Sequence, residues 1–254
     1  MSGSDHGFDP WARFRPSTRA RIGLGRVGDA VPTPALLDLM LAHARARDAV
    51  HGAADFGAIA EALAPRPVIE VRSRATDRTT YLRRPDLGRR LAPDCLPHLE
   101  RGEWDVVFVV ADGLSAAAVN RHAVPMLEAC FARLHGWKIA PIVLAREARV
   151  ALGDEVGEAL GAKLCALLVG ERPGLSVRDS LGVYLTWEPH VGRVDSERNC
   201  LSNIHPEGLS YDVAADKLVW LMTEAARRRL TGVDLKEDAP VALESGPNAA
   251  AIQG

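Results

Sequence analysis

The chain of 254 residues lacks any pair of cysteines at metal-binding or redox spacing. Cys95, Cys130, Cys165 and Cys200 stand at even intervals, yet their flanking residues share nothing, so no repeat underlies them. With no C-x-x-C pair, neither a disulfide framework nor a zinc site is supported, and a reducing compartment is implied. No apolar stretch approaches the roughly 20 residues of a membrane helix. The first thirty residues have no apolar core of a secretory signal. Net charge is −2, with 31 basic against 33 acidic residues, which gives no global attraction to nucleic acid. Two arginine clusters exist, Arg13, Arg15, Arg19, Arg21 and Arg26, then Arg83, Arg84, Arg89 and Arg90. Neither has an aromatic stacking platform beside it, so both read as solvated surface or subunit contact. The expectation is a cytoplasmic protein without membrane or nucleic-acid partners.

Self-contained catalytic signatures are also missing. There is no G-x-S-x-G elbow, no H-E-x-x-H pair and no Walker sequence. Gly23, Gly25 and Gly28 do satisfy the G-x-G-x-x-G pattern of dinucleotide binding. That fingerprint needs a hydrophobic strand before it and a helix opening from it. Here Arg19, Ala20, Arg21 and Ile22 precede the glycines, and Pro32 and Pro34 fall where the helix should run, so a connecting turn is the preferred reading. A stand-alone NAD-type oxidoreductase using these glycines is the alternative function.

What is present begins with an extended arm over 1–19, with Phe8, Trp11 and Phe14 as isolated aromatics. A helix starts at Thr33, with Pro34 at its first position and Leu37, Met40, Leu41 and Ala44 on one face. A shorter helix comes next over 56–63, then strands over 68–71 and 79–82, and a helix broken by Pro93 and Pro97. From Trp104 the pattern turns regular: strand 106–110, helix 114–134 carrying Pro125, strand 139–144, helix 152–160 and strand 164–169. Continuous apolar runs bounded by polar turns fit strands covered on both faces, and βαβαβ implies a parallel sheet with right-handed crossovers. A further strand is expected over 182–188, a polar loop over 195–205, and a helix over 211–230 capped by Ser210. The fold class is therefore α/β, a Rossmann-like, mostly parallel sheet with a helical N-terminal part. Its divisions are an arm over 1–19, a mainly helical domain over 20–102, the Rossmann-like domain over 103–230, and a disordered tail over 231–254.

Ligands of open α/β sheets bind at the carboxyl edge. Three loops meet there, carrying Asp112 and Ser115, Glu147 to Val150, and Glu171 with Arg172. Asp112 and Ser115 read best as caps of the following helix, with no histidine placed near them by sequence. His205 reads as a hydrogen-bonded structural residue.

Seven segments, ARIGLGRVG at 20–28, AHARARDAV at 42–50, YLRRPDLGRRL at 81–91, ADGLS at 111–115, LLVGERPGL at 167–175, DSLG at 179–182 and RNCLSNIHPEG at 198–208, together resemble the small subunit of ethanolamine ammonia-lyase. The resemblance runs in order from about Thr18 to about Leu230. It implies an adenosylcobalamin-dependent lyase that converts ethanolamine to acetaldehyde and ammonia by radical chemistry supplied by the cofactor. It also implies a hetero-oligomer whose large subunit handles the substrate, with no catalytic residues and no metal ligands in this chain. Carried over position by position, the cofactor-binding residues fall on Val150, Glu171 and Cys200. No D-x-H-x-x-G sequence supplies a histidine to cobalt, so base-on cobalamin is expected. The stretch between Glu171 and Cys200 is one residue shorter than in relatives. The N-terminus is shorter than in relatives packaged in bacterial microcompartments, which leaves the cytoplasm as the expected location and a microcompartment as the alternative. A non-catalytic corrinoid-binding protein is the third functional reading.

Overall fold

The strand Trp104–Ala111 has no exposed residue from Val106 to Ala111, and its apolar, largely β-branched sequence packs helices on both faces. A computed structural model describes residues 9–236 of the chain. In order, its elements are α1 (Thr33–His51), α2 (Phe56–Ala62), β1 (Val68–Arg72), α3 (Arg78–Arg83), α4 (Pro85–Gly88), β2 (Trp104–Ala111), α5 (Ala116–Phe131) and β3 (Ile142–Arg146). After these come α6 (Leu152–Leu160), β4 (Ala162–Gly170), β5 (Leu181–Trp187), β6 (Arg198–Ile204) and α7 (Tyr211–Arg228).

The six strands form one sheet in the order β1-β3-β2-β4-β5-β6. The first four in that order pair in parallel, and β5 and β6 add antiparallel. The expected βαβαβ is thus present as β2-α5-β3-α6-β4. Helices α5 and α6 leave adjacent strands toward opposite faces, so the carboxyl ends of β2 and β3 flank a topological switch point. Strand β1, from the helix-rich first part, lies in the same sheet.

Two apolar layers sandwich the sheet. On one face Phe108, Val110, Leu164 and Leu168 meet Val119, Met126 and Leu127 of α5 and Leu218 and Met222 of α7. On the other, Val107, Val109, Cys165 and Leu167 meet Leu152 and Val156 of α6 and Leu91 and Cys95 from the β1-to-β2 connection. Each fully buried side chain of this kind contributes about 1.5–3 kcal/mol of hydrophobic stabilisation.

Three local expectations are corrected. Residues 79–82 are helical, because Asp77 accepts from Thr80 N at 2.9 Å and from its hydroxyl at 2.8 Å, and this cap outweighs the β propensity of Thr-Thr-Tyr. Residues 195–205 are not all loop: a short 3-10 turn, Asp195–Glu197, leads into β6. β6 is an edge strand with one covered face, so its outward residues are polar and hide the strand pattern. Thr231 to Lys236, expected within the tail, are packed in place. Thr231 donates to Glu197 O at 2.7 Å and accepts from Trp187 N at 2.9 Å, and Leu235 is buried. The remainder of the arm and tail calls, 1–8 and 237–254, lies outside the described residues.

One buried ion pair locks β6 to the second face. Arg198 donates both terminal nitrogens to Asp154 of α6, at 2.6 and 2.7 Å, and adds Thr186 Oγ1 of β5 at 2.9 Å. Their side chains are 2% and 3% exposed. Asp154→Ala leaves a buried, uncompensated guanidinium and should cost about 3–5 kcal/mol. Replacing both residues together by Leu and Met should cost far less, since no charge is left behind. Urea unfolding measures both; an Asp154→Ala loss below about 1 kcal/mol, the value of an exposed pair, contradicts this role.

Candidate functional site

At the switch edge, β2 ends in a turn whose backbone requires glycine. Gly113 has φ +59, and a Cβ there would strike the backbone oxygen of Gly170 and Val169. The turn is pinned to β4 by Leu114 N donating to Gly170 O at 2.9 Å. Ser115 caps α5, accepting from Ala118 N at 3.2 Å. Asp112 does not share that task, contrary to expectation. Its two carboxylate oxygens accept instead from Glu147 N at 2.9 Å and Ala148 N at 3.1 Å, joining the loop after β2 to the loop after β3.

That second loop is held from several sides. Glu147 sits in the left-handed region, φ +48. Arg78 of α3 reaches Glu147 Oε2 at 2.9 Å and Asp112 Oδ2 at 3.9 Å. The Tyr81 hydroxyl donates to Ala148 O at 3.2 Å, and Arg149 N donates to Gly88 O at 2.8 Å. The guanidiniums of Arg78 and Arg149 lie 4.8 and 4.6 Å from the centre of the Tyr81 ring. Burial pushes the Asp112 carboxyl up to about 6, with Glu147 adding to the rise and the two amide donors and Arg78 opposing it.

The third wall is the turn after β4. Glu171 Oε2 accepts from the Ser180 hydroxyl at 2.6 Å and from Asn203 N at 3.2 Å, while Oε1 faces Gly182. No ion pair to Arg172 is formed among the described residues. The β5–β6 pairing carries an irregularity between Leu181 and Val183, and Asn203, φ +60, lies in the partner stretch. Such bulges re-aim backbone groups, and here the result is an amide turned onto Glu171.

Between these walls lies a groove of about 320 Å³ lined by Tyr81, Leu114, Arg149, Val150, Glu171 and Tyr184 among others. Val150 and Glu171, named from sequence, are both in its lining. Cys200 is not; it stands directly across the ladder from Tyr184 and is exposed. Burial first, then the Cys200 contact, pushes Tyr184 up to about 12, and burial also raises Cys200, so both stay protonated at neutral pH. Val150 and Glu171 thus share the groove, whereas Cys200 adjoins it only through Tyr184. Tyr184 went unnamed although a signal existed: in LGVYLTW, period-2 alternation sets Gly182, Tyr184 and Thr186 on the face opposite Leu181, Val183 and Leu185. Tyr81 and Arg149 had no such signal, being far apart in sequence.

Gly23, Gly25 and Gly28 form a turn, with φ +55, +75 and +61, and Trp11 packs where a Gly23 side chain would lie. Among the described residues no strand precedes them and no helix opens from them, so the dinucleotide geometry is not built. His205 is buried and hydrogen-bonded to Asn203 Oδ1 at 2.9 Å. No cluster of three metal-ligating side chains occurs among the described residues, and none of their helices is long and apolar enough to cross a membrane.

The fold defines a Rossmann-like α/β protein with a groove at the carboxyl edge of its parallel strands. A sequence model of the family described as "Ethanolamine ammonia-lyase light chain (EutC)" matches residues 8–236. The chain is 53% identical over 248 residues to the ethanolamine ammonia-lyase small subunit of Azotobacter vinelandii, covering 94% of this chain and 92% of that one. It is 52% identical to the protein of that name from Pseudomonas putida strain GB-1, covering 93% and 91%. Against the one from Pseudomonas aeruginosa strain PAO1 the values are 50%, 94% and 91%. The chain belongs to the ethanolamine ammonia-lyase light chain family.

Because folded Asp112 holds its proton more tightly than a free carboxyl of 3.8, its contribution to stability is complete below about pH 4 and lost as pH rises through about 6. Relative to Asp112→Asn, wild-type unfolding free energy should fall by on the order of 3 kcal/mol across that window. Urea titrations at both ends read this difference, and a pH-independent one contradicts the assignment.

Proposed function

We propose that this chain is the small subunit of an adenosylcobalamin-dependent ethanolamine ammonia-lyase, and that its switch-edge groove forms one wall of the cofactor site. The observation that carries the reading is that Val150, Glu171 and Tyr184 line one groove at the sheet edge, with Cys200 outside it and across the ladder from Tyr184. The donor set suits a corrinoid, a broad ring with apolar faces and peripheral amides. Leu114, Val150 and the Tyr184 ring offer apolar contact, Glu171 Oε1 offers an acceptor, and Arg149 Nε is a buried donor with no partner. The groove is far smaller than a corrinoid, so most of the cofactor would lie outside it, against another chain.

When bound, the cofactor supplies the radical chemistry. The residues of this chain bind and orient. Glu171, braced by Ser180 and Asn203, would receive a hydrogen bond from an amide or hydroxyl of the cofactor. Val150 and the neutral Tyr184–Cys200 pair would exclude water from its edge. Substrate chemistry on ethanolamine would be carried by the large subunit, in the cytoplasm.

A partner surface supports the hetero-oligomer. Helix α1 has 19 residues and buries only Ala49. Leu37, Met40 and Leu41 of its expected apolar face are 47–59% exposed, and Leu36 beside them is 44% exposed. Such a stripe marks a protein contact more often than free surface, and the large subunit is the proposed occupant.

Co-expression with the large subunit, with acetaldehyde formation from ethanolamine and adenosylcobalamin as the readout, tests the reading. Activity is expected only from the pair; a well-folded pair that forms no acetaldehyde removes the proposal, and NAD binding by the lone chain would favour the oxidoreductase. Glu171→Gln should weaken cofactor affinity about tenfold while leaving the complex assembled, since one charge-assisted hydrogen bond is weakened. Leu37→Glu with Met40→Glu should do the reverse, abolishing co-purification of the pair while the chain keeps its melting temperature; unchanged co-purification excludes α1 from the interface.

A further inference from the structure

We propose that Asp112 is a positioning residue for the groove: its carboxylate fixes the Glu147-to-Val150 loop, and through it sets where Arg149 and Val150 meet the ligand. This rests on the corrinoid reading of the groove and goes beyond it by naming a residue that never touches the ligand.

Four observations carry it. Asp112 is 6% exposed, and both of its oxygens are used on backbone amides of one loop, 35 and 36 residues away in sequence. A turn-forming aspartate bonds its own neighbours, and that local task is done here by Ser115. The bonded loop carries Glu147 in a left-handed conformation, which is strained and persists only when its surroundings enforce it. The loop's next residues, Arg149 and Val150, both line the groove, and the buried Arg149 Nε has no hydrogen-bond partner among the described residues. Removing the carboxylate would therefore release backbone that is strained, and the first groups to move would be two lining residues.

The ionisable groups around Asp112 are Arg78 and Tyr81 of α3, and Glu147 and Arg149 of the loop. Burial, the largest influence on it, keeps the Tyr81 phenol protonated. Arg78 also bonds Glu147 directly and Val50 O at 2.7 Å, so it braces the loop at either protonation state of Asp112. Protonating Asp112 turns one accepting oxygen into a hydroxyl facing an amide N–H, which costs one of the two loop bonds. Ligand affinity should then fall with acid even though the fold itself gains from that proton. A merely structural aspartate would show only the second effect.

The experiment uses the assembled pair of this chain and the large subunit, freed of cofactor. Adenosylcobalamin is titrated in by equilibrium dialysis from about pH 8 to about pH 5, for wild type, Asp112→Asn and Asp112→Glu. Asp112→Asn, which retains one acceptor and sets an N–H against the other amide, should raise the Kd about tenfold near pH 7.5. The wild-type Kd should rise as pH falls through about 6, the Asn variant should be flat over that range, and Glu should recover part of the affinity. An Asn variant with wild-type Kd and pH profile overturns the proposal. So does a wild-type Kd that is flat with pH, a result independent of whether any variant folds. A wild-type pair that binds no cobalamin overturns instead the reading on which the proposal rests.

Discussion

Two hydrogen bonds from one carboxylate hold the switch edge together. Asp112 leaves β2 and clasps the backbone after β3, where the connecting helices part to opposite faces and the sheet opens. Without that clasp the loop after β3 would be fixed mainly by Arg78 and Tyr81 from outside the sheet. The arrangement is costly, because a carboxylate nine-tenths hidden from water is accepting amides beside another carboxylate. Cost of this kind gathers at sites where geometry matters more than stability. It coincides here with the groove that holds Val150 and Glu171.

The other walls obey the same logic of backbone held by side chains. Glu171 is fixed by a serine that precedes β5 and an amide from the bulge in β6, so the antiparallel strands are part of the site. The buried Asp154–Arg198 pair in turn holds β6 to α6 on the face that carries Tyr184 and Cys200. Stability on this face and geometry in the groove are therefore linked through one edge strand. On the opposite face, α5 and α7 bury a largely apolar layer in which His122 Nδ1 meets the Tyr211 hydroxyl at 2.7 Å.

Much of this was legible in the residues themselves. The runs VVFVVA and LCALLV are apolar on both sides, and only a strand covered twice buries them, so the parallel core and its carboxyl edge could be inferred. What stayed hidden depended on partners distant in the chain or on competition between local forces. Asp112 looked like a cap because nothing near it in sequence announces Glu147 and Ala148. Residues 79–82 looked like a strand because β propensity is visible while the strength of the Asp77 cap is not. β6 looked like a loop because an edge strand shows solvent its polar face. Val150 and Glu171 came from family resemblance, and the groove geometry joins them; Cys200 joins only through Tyr184.

The central claim is that the switch-edge loops and β6 form one wall of a corrinoid site completed by a second chain. Hydrogen exchange on the assembled pair, with and without adenosylcobalamin, reads this directly. The account predicts cofactor-dependent protection of the amides at 112–114, 147–150, 170–172 and 199–203, with none at the opposite end of the sheet around 135–138. Bound cofactor with those four stretches unprotected would contradict it.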